Sequence, residues 1–493
     1  MSGLTRRQLL RAAGAGALAL CRPGALLPRM ASAAVPHDRR RAPFFDVPDD
    51  ELINLRGQQL RFGSTIYPWK EPEWILEECR AIGFTGVRLS LPREHVEHGP
   101  NDGAFDPRCF HNPFPAAIEL VRRSKLDVVM TVHGHPADRK AVPLEWIRNA
   151  DGTINGKANA RSFGNYTRWL VNHTKDFVQT YELWNEAFGS IEDQKFHRSF
   201  GPGGSLQNAD QYADMMLPAM AAVKECAPHA RTAIEGNYWG IQDSVARSES
   251  YQRLLAQADF AVYHPYNYGP KQYTKEGKKA GGLSQFYEAN GYYRSINPRI
   301  EWFFTEYNVE ARGLGLPPEQ ERGHLQAKLL LRATALHLRH GIAHLFPFAL
   351  IYPPSPTFTF IDPGRKRRPV WHAMQRFMAA CAPKQRCVEA SLDRPGALSA
   401  NLRDLAIATP EGFTYCIWQE TAPDHLKDDA PPQIATVTLR CPSGKPIALA
   451  SVVDPITGQA VAGARATPAG NGDLALSLPV TDYPRLVTLR LGG

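Results

Sequence analysis

The 493-residue chain holds 43% apolar and 22% charged residues, the balance of a soluble globular protein, and its length allows two or three domains, one of them a large barrel. Its formal charge of +8 does not describe a nucleic-acid-binding surface. Five arginines and no acid lie within residues 1–33, so the remainder carries +3, and beyond the short Arg39–Arg41 run there is no basic helix or Lys/Arg stripe.

The first 33 residues read as an address. "TRRQLLR" sets Arg6, Arg7 and Arg11 ahead of a mildly apolar run, "AAGAGALAL", and "ASA" at Ala31–Ala33 offers small residues to a signal peptidase. This resembles a twin-arginine export signal, which implies a periplasmic or extracellular protein; the apolar run is too short to span a bilayer. Leu20 precedes Cys21 where a lipoprotein site wants a small residue, so no membrane anchor is expected. Residues 34–54, with "PHDRRRAP", form an exposed leader. Seven cysteines remain past the signal, none in a C-x-x-C pair, which argues against a zinc ribbon or redox motif. The odd number leaves at least one thiol free. Cys381 and Cys387 are near enough in sequence to bridge, but their mostly apolar neighbours favour buried thiols.

Residues 55–384 alternate short β-rich runs with longer amphipathic ones. The spacing predicts strands at 60–67, 86–92, 126–134, 177–186, 231–238, 259–266, 300–308 and 342–350. Helical runs lie between them, among them 72–83, 112–125 and 321–341. Eight strands with helical connections define a parallel α/β architecture, and their number points to a closed (β/α)8 TIM barrel. An open doubly wound sheet would want a Gly-rich phosphate turn after the first strand, and "GSTIYPWKEP" is not one. Residues 385–493 change texture: "DLAIATPEGFTYCIWQ" reads as strand, turn, strand, and alternating strands with Gly/Pro turns follow. This predicts a small antiparallel β-sandwich packed against the barrel and doing no chemistry.

In such barrels the active site forms at the C-terminal ends of the strands. Those ends carry Tyr67 and Trp69, Arg88, His133 and His135, Asn185 and Glu186, Asn237 and Trp239, His264 and Tyr266, Glu306, and Phe348 and Tyr352. Two carboxyls, an arginine, imidazoles and aromatic rings are the groups sugar cleavage needs: acid/base and nucleophile, partners for hydroxyls, and flat faces for pyranose rings.

"ELWNEAF" at the fourth strand end and "WFFTEYN" at the seventh resemble the paired signatures of clan A retaining glycoside hydrolases. The resemblance covers roughly residues 60–350. It implies Glu186 as acid/base, Glu306 as nucleophile, Asn185 on the substrate 2-hydroxyl, and Arg88 with His264 and Tyr266 supporting the nucleophile. His133 matches the clan's third-strand histidine, with His135 the competing choice. "TEYNVE" looks most like the strand end of glycoside hydrolase family 39, which the added sandwich also fits; "HPY" and "GVRLSLP" fit family 5 about as well. The sequence departs from the clan at Ala187, where many members have proline, and at "FPFAL", which lacks the tryptophan that often floors the first subsite.

Each choice has a plainer competitor. Glu182 reads as barrel interior paired to a buried cation, and Glu301 lies at the wrong end of its strand. His264 competes with the reading of a core histidine, and Trp69, Trp239 and Tyr352 as sugar platforms compete with ordinary packing. "EHVEH" and "HGHP" lack a companion ligand cluster, so neither metal nor cofactor is expected. The expected function is a secreted retaining glycosidase acting on a β-linked oligo- or polysaccharide. The alternatives are a transglycosylase with the same two glutamates, or a non-catalytic carbohydrate-binding protein on a decayed barrel.

Overall fold

The computed structural model describes residues 61–65, 71–92, 114–133, 149–151, 156–187, 209–236, 248–268, 283–310, 321–339, 341–352, 359–381, 402–409, 411–419, 431–441 and 443–492. The chain divides into Met1–Ala42 and Pro43–Gly493, and every described residue belongs to the second unit. The export signal, the leader and the barrel–sandwich boundary at 384/385 therefore lie outside the described residues.

Eight parallel strands close a ring: β1 (Arg61–Thr65), β2 (Gly86–Pro92), β3 (Asp127–His133), β4 (Thr180–Leu183), β5 (Arg231–Glu235), β6 (Phe260–Val262), β8 (Glu301–Glu310) and β9 (His344–Pro347). Each pairs with the next, β6 meets β8, and β9 returns to β1 through Arg61↔His344, which completes the circle. All eight coincide with runs predicted from the sequence. One short strand went unforeseen: β7 (Tyr266–Tyr268) adds to the upper half of β8, with Tyr266 opposite Asn308.

Helices alternate with these strands: α1 (Pro72–Ile82), α2 (Phe114–Ser124), α3 (Gly156–Thr174), α4 (Ala209–Cys226), α5 (Glu249–Leu255), α6 (Leu283–Ile296), α7 (Gln326–Arg339) and α8 (Pro369–Cys381). Local chemistry sets their ends. Pro72 opens α1, where its missing N–H costs nothing. Gly83, at φ +96°, closes it, and the Gly83 and Phe84 amides return to the carbonyls of Arg80 and Cys79.

The barrel interior is filled, not hollow. Val129, Ala233, Phe260, Val262, Phe303 and Phe346 plug its waist, and Gly63 makes room for the Phe346 ring, which a Cβ there would meet at 2.3 Å. Below the plug Glu301 accepts from Arg231 at 2.8 Å and pairs with His344 at 2.9 Å. Glu301 thus sits at the N-terminal end, away from the mouth, as its place in the sequence implies.

The C-terminal residues form two antiparallel sheets. One has the order β10 (Leu402–Thr409), β11 (Gly412–Gln419), β16 (Arg485–Leu491), β13 (Ile447–Val453). The other runs β12 (Gln433–Leu439), β15 (Leu474–Val480), β14 (Arg465–Pro468). Their facing side chains make a core of their own, while Leu405, Ile407, Cys416, Trp418 and Leu486 belong to the barrel's helix–strand core. Polar contacts join the seam: Lys328 to Asp482 at 2.5 Å, both fully buried, and Arg339 to Asp404 at 2.5 Å. The sandwich packs on α7 and α8. The described cysteines, Cys79, Cys226, Cys381, Cys416 and Cys441, are free thiols. Among the described helices none is long and apolar enough to cross a membrane.

Candidate active site

Two local departures from regular strand geometry build the mouth of the barrel. The first is at the exit of β4. Glu182 points inward and Leu183 packs outward; simple alternation would turn Trp184 inward. Instead Trp184 takes φ +84° and lies outward against Phe163 of α3, ring centroids 5.5 Å apart. Glu186 follows at φ +49°. Left-handed backbone at two non-glycine residues costs on the order of 1–3 kcal/mol each, which the buried indole and the contacts of the next two residues offset. The strand ends three residues earlier than the sequence predicts, and Asn185 and Glu186 swing over the barrel axis.

The second departure is on β8. Trp302 faces outward to Asn290, Phe303 inward to the plug, Phe304 outward to His337, and Thr305 inward to Glu182. Pairing with β9 then slips: Phe304 opposes Leu345, but Tyr307 opposes Pro347. One extra residue is accommodated, so Thr305 and Glu306 both face the axis while Tyr307 faces outward to Thr334 of α7. A bulge re-aims a side chain in this way, and here it turns the carboxyl of Glu306 toward Arg88 and Tyr266.

Arg88, from β2, joins the two halves. It is 2% exposed and grips Glu182 twice, Nε to Oε2 at 2.6 Å and Nη2 to Oε1 at 3.1 Å. Its Nη1 donates to Glu306 at 2.5 Å and its Nη2 to the Asn185 carbonyl oxygen at 2.6 Å. Tyr266 donates to the other oxygen of Glu306 at 2.5 Å. Glu182 also accepts from Thr131 and Thr305, each at 2.7 Å. Because the Thr305 hydrogen is spent on Glu182, its oxygen accepts from Nε2–H of His264 at 2.9 Å. The other ring nitrogen, Nδ1, faces Glu186 at 3.0 Å and lies 3.8 Å from Glu306.

The charges follow from this wiring. Burial alone would lower both cations and raise Glu182. For Arg88 burial is outweighed by Glu182 and Glu306, and the guanidinium is held further above its usual range. Burial of His264 is outweighed by the charge of Glu306, the nearby carboxylate of Glu182 and the contact with Glu186, which raise it to about 10. Burial of Glu182 is outweighed by Arg88 and His264, which bring it to about 2. At neutral pH the site therefore holds an imidazolium and a guanidinium beneath the two mouth carboxyls.

Donor atoms of Glu186, His264 and Glu306 lie within 4.8 Å of one another, a spacing that a cation can use. Of the two His264 nitrogens only Nδ1 is turned toward the two carboxyls, since Nε2 is engaged by Thr305.

Six sequence-selected residues, Arg88, Asn185, Glu186, His264, Tyr266 and Glu306, thus converge. Glu182 pairs with a buried cation as expected, and that cation is Arg88. Tyr352 packs edge-on to Phe348 at 4.8 Å, and Phe348 reaches Tyr266 at 6.3 Å, so these rings form one wall. Trp69, Trp239, His135 and the side chain of His133 lie outside the described residues, as does "EHVEH". Sequence reading missed Thr131, Thr305 and Glu235. Glu235, a lone acid closing the apolar run "RTAIE", carried a signal; the two threonines, ordinary in strands, carried none.

Barrel and sandwich together are similar to solved glycoside hydrolases. A glycoside hydrolase family 30 subfamily 8 xylanase from Clostridium acetobutylicum matches with 11% identity and a TM-score of 0.54, over 89% of this chain and 98% of that one. A family 30 endoxylanase from Clostridium papyrosolvens matches with 12% identity and a TM-score of 0.55, over the same shares. At this identity the likeness establishes the TIM barrel with its sandwich and leaves the reaction to the site. Neither neighbour belongs to family 39 or family 5, which the strand ends resemble. No protein-family model and no curated protein matches the chain.

Proposed function

We propose that this chain is a retaining glycoside hydrolase acting on a β-linked oligo- or polysaccharide, with Glu306 as nucleophile and Glu186 as acid/base. The observation that carries this reading is the approach of the two carboxyls, one oxygen of each within 4.8 Å of the other at the barrel mouth. That span supports double displacement, for which about 5–5.5 Å is needed, over inversion, which needs about 6.5–9.5 Å to seat a water.

The surroundings suit the two roles. Arg88 and Tyr266 both donate to Glu306, charge-assisted bonds that fix its orientation and aim it at an anomeric carbon. In the first step Glu306 attacks that carbon as Glu186 gives its proton to the leaving oxygen. In the second, Glu186 takes a proton from the water that cleaves the glycosyl ester. The negative charge of Glu306 helps keep Glu186 protonated before attack, and ester formation removes it when a base is wanted. Arg88 holds the Asn185 carbonyl oxygen, which turns the amide NH2 toward a substrate hydroxyl.

The test is a hydrolysis screen over aryl β-glycosides and polysaccharides, begun with xylan because both neighbours above are xylanases. Proton NMR of the first-formed product follows. A retained anomer sustains the proposal; an inverted one refutes the mechanism. Binding without turnover would favour a carbohydrate-binding protein, and transfer to added acceptor sugars a transglycosylase.

A further inference from the structure

The β4–β5 ladder stops where Asn185 and Glu186 leave it. Its paired register ends at Leu183↔Ile234. With Arg231 N–H on Gln179 O, the alternation of parallel bonds would bring Glu235 N–H to Leu183 O and Asn185 N–H to Glu235 O. Tyrosine hydroxyls occupy both places. That of Tyr212, from α4, donates to Leu183 O at 2.8 Å and accepts from Glu235 N–H at 2.8 Å. That of Tyr251, from α5, donates to Glu235 O. Because its hydrogen lies there, its oxygen accepts from Tyr293 of α6 at 2.9 Å. Two helices thus send a phenol each into the gap between the strands, and a third helix braces them.

The other edge of β4 is not interrupted, for Trp184 N–H still donates to Val132 O of β3 at 2.8 Å. At Trp184 the chain is therefore held on one side and released on the other. Its φ turns to +84° there and to +49° at Glu186, and the released residues meet Arg88 through Asn185 and His264 through Glu186. All three tyrosines are buried. Burial raises their hydroxyls far above the usual range, so each keeps its hydrogen at any working pH.

We propose that Tyr212, seconded by Tyr251, is a positioning residue for Glu186: its hydroxyl keeps β4 and β5 apart at the rung whose closure would draw the acid/base away from the leaving oxygen. This deepens the glycosidase reading and rests on it for its mechanistic meaning. Without the hydroxyl, Leu183 O and Glu235 N–H are stranded in a dry interior or close on each other. Closure drags the three residues after Leu183 toward β5. Glu306 stands on β8 and keeps its bonds from Arg88 and Tyr266, so the loss falls on protonation of the leaving group and not on the nucleophile.

The test is Tyr212→Phe in the full chain, which keeps the ring and removes the bridging oxygen. Its kcat/KM is measured on a dinitrophenyl glycoside, whose leaving group departs without a proton, and on the matching unactivated saccharide, whose leaving group needs one. General acid catalysis is the part at stake, so the saccharide should lose about 10–100-fold and the dinitrophenyl glycoside less than about threefold. Equal losses on the two would mark a merely structural residue and overturn the proposal. Amide hydrogen exchange needs no substrate. In Tyr212→Phe it should quicken at Glu235 and over residues 184–187 and stay as in wild type along β1 and β2. Unchanged exchange at 184–187, or a rise throughout the barrel, would also overturn the proposal. If Tyr212→Phe does not fold, Tyr251→Phe, which vacates the second place and leaves the first, is read by the same two measurements and criteria. A wild-type protein that turns over no glycoside would sink the glycosidase reading alone, since the exchange pattern still tests the spacer. Turnover with equal losses on the two substrates would sink this inference alone.

Discussion

Replacing Thr305 by valine removes one hydroxyl at nearly constant volume, and the relay built on that hydroxyl gives the change a size. Its oxygen accepts from His264 Nε2–H at 2.9 Å and its hydrogen goes to Glu182 at 2.7 Å. Both partners are buried and charged. Stranding the imidazolium N–H costs about 1–3 kcal/mol, and removing a bond to a carboxylate costs about 1.5–3 kcal/mol. Glu182 keeps Arg88 and Thr131, so the sum belongs near the lower end, about 3 kcal/mol, a large fraction of the roughly 5–15 kcal/mol that holds a domain folded. Thr305→Ser keeps both bonds and loses one buried methyl, about 0.8 kcal/mol. Denaturant midpoints of the three proteins should therefore fall in the order wild type, serine, valine, with the large step between the last two. With its ring tethered at one end only, His264 should hold Glu186 less well. The valine variant should lose about 10–100-fold in kcat/KM, or about 1.4–2.8 kcal/mol, and the serine variant little. If valine and serine variants were equally stable and equally active, the relay would have no energetic meaning.

Glu306→Ala should abolish turnover even on aryl glycosides with good leaving groups, whereas Glu186→Ala should still form the glycosyl-enzyme, stall, and be rescued by azide with a β-azide product from a β-glycoside; identical behaviour of the two variants would cancel the role assignment. Glu182 is held at about 2 against a usual 4.5 because Arg88 and His264 outweigh its burial. A depressed carboxylate stabilises the fold fully above pH 4.5 and loses that contribution as pH falls toward 2, an amount on the order of 3 kcal/mol. Urea titrations from pH 6 to 2 should show a shallower loss in Glu182→Gln than in wild type, and equal slopes would contradict the argument. At the domain seam, Lys328→Met leaves the buried Asp482 without its lysine and should cost about 3–5 kcal/mol, while Lys328→Met/Asp482→Leu should recover most of it; thermal melts that rank the double variant below the single one would refute this.

The residues of the site were legible because two simple regularities survive in the chain. Strands buried on both faces announce themselves as short apolar runs, and in a parallel barrel every such run ends at the same face. Asn185, Glu186 and Glu306 stand out at those ends because a polar group closing an apolar run has to be accounted for, and Arg88, His264 and Tyr266 follow by the same logic. The sandwich was legible from its turn residues, which need no long-range information. Alternation, however, assigns a face only while the ladder is regular. Nothing in "FFTEYN" reveals that Thr305 and Glu306 share one inward slot, since the bulge exists through a slip against β9, some forty residues further on. Nothing in "LWNE" reveals left-handed backbone at Trp184 and Glu186, which only the pocket for the indole on α3 makes tolerable. Arg88 bridges Glu182 and Glu306 across separations of 94 and 218 residues, and Tyr212 reaches in from a helix to hold β4 and β5 apart. Those arrangements are set by closure of the ring, because strand-end identities depend on local pattern while the distances between them depend on how all eight strands are tilted and registered at once.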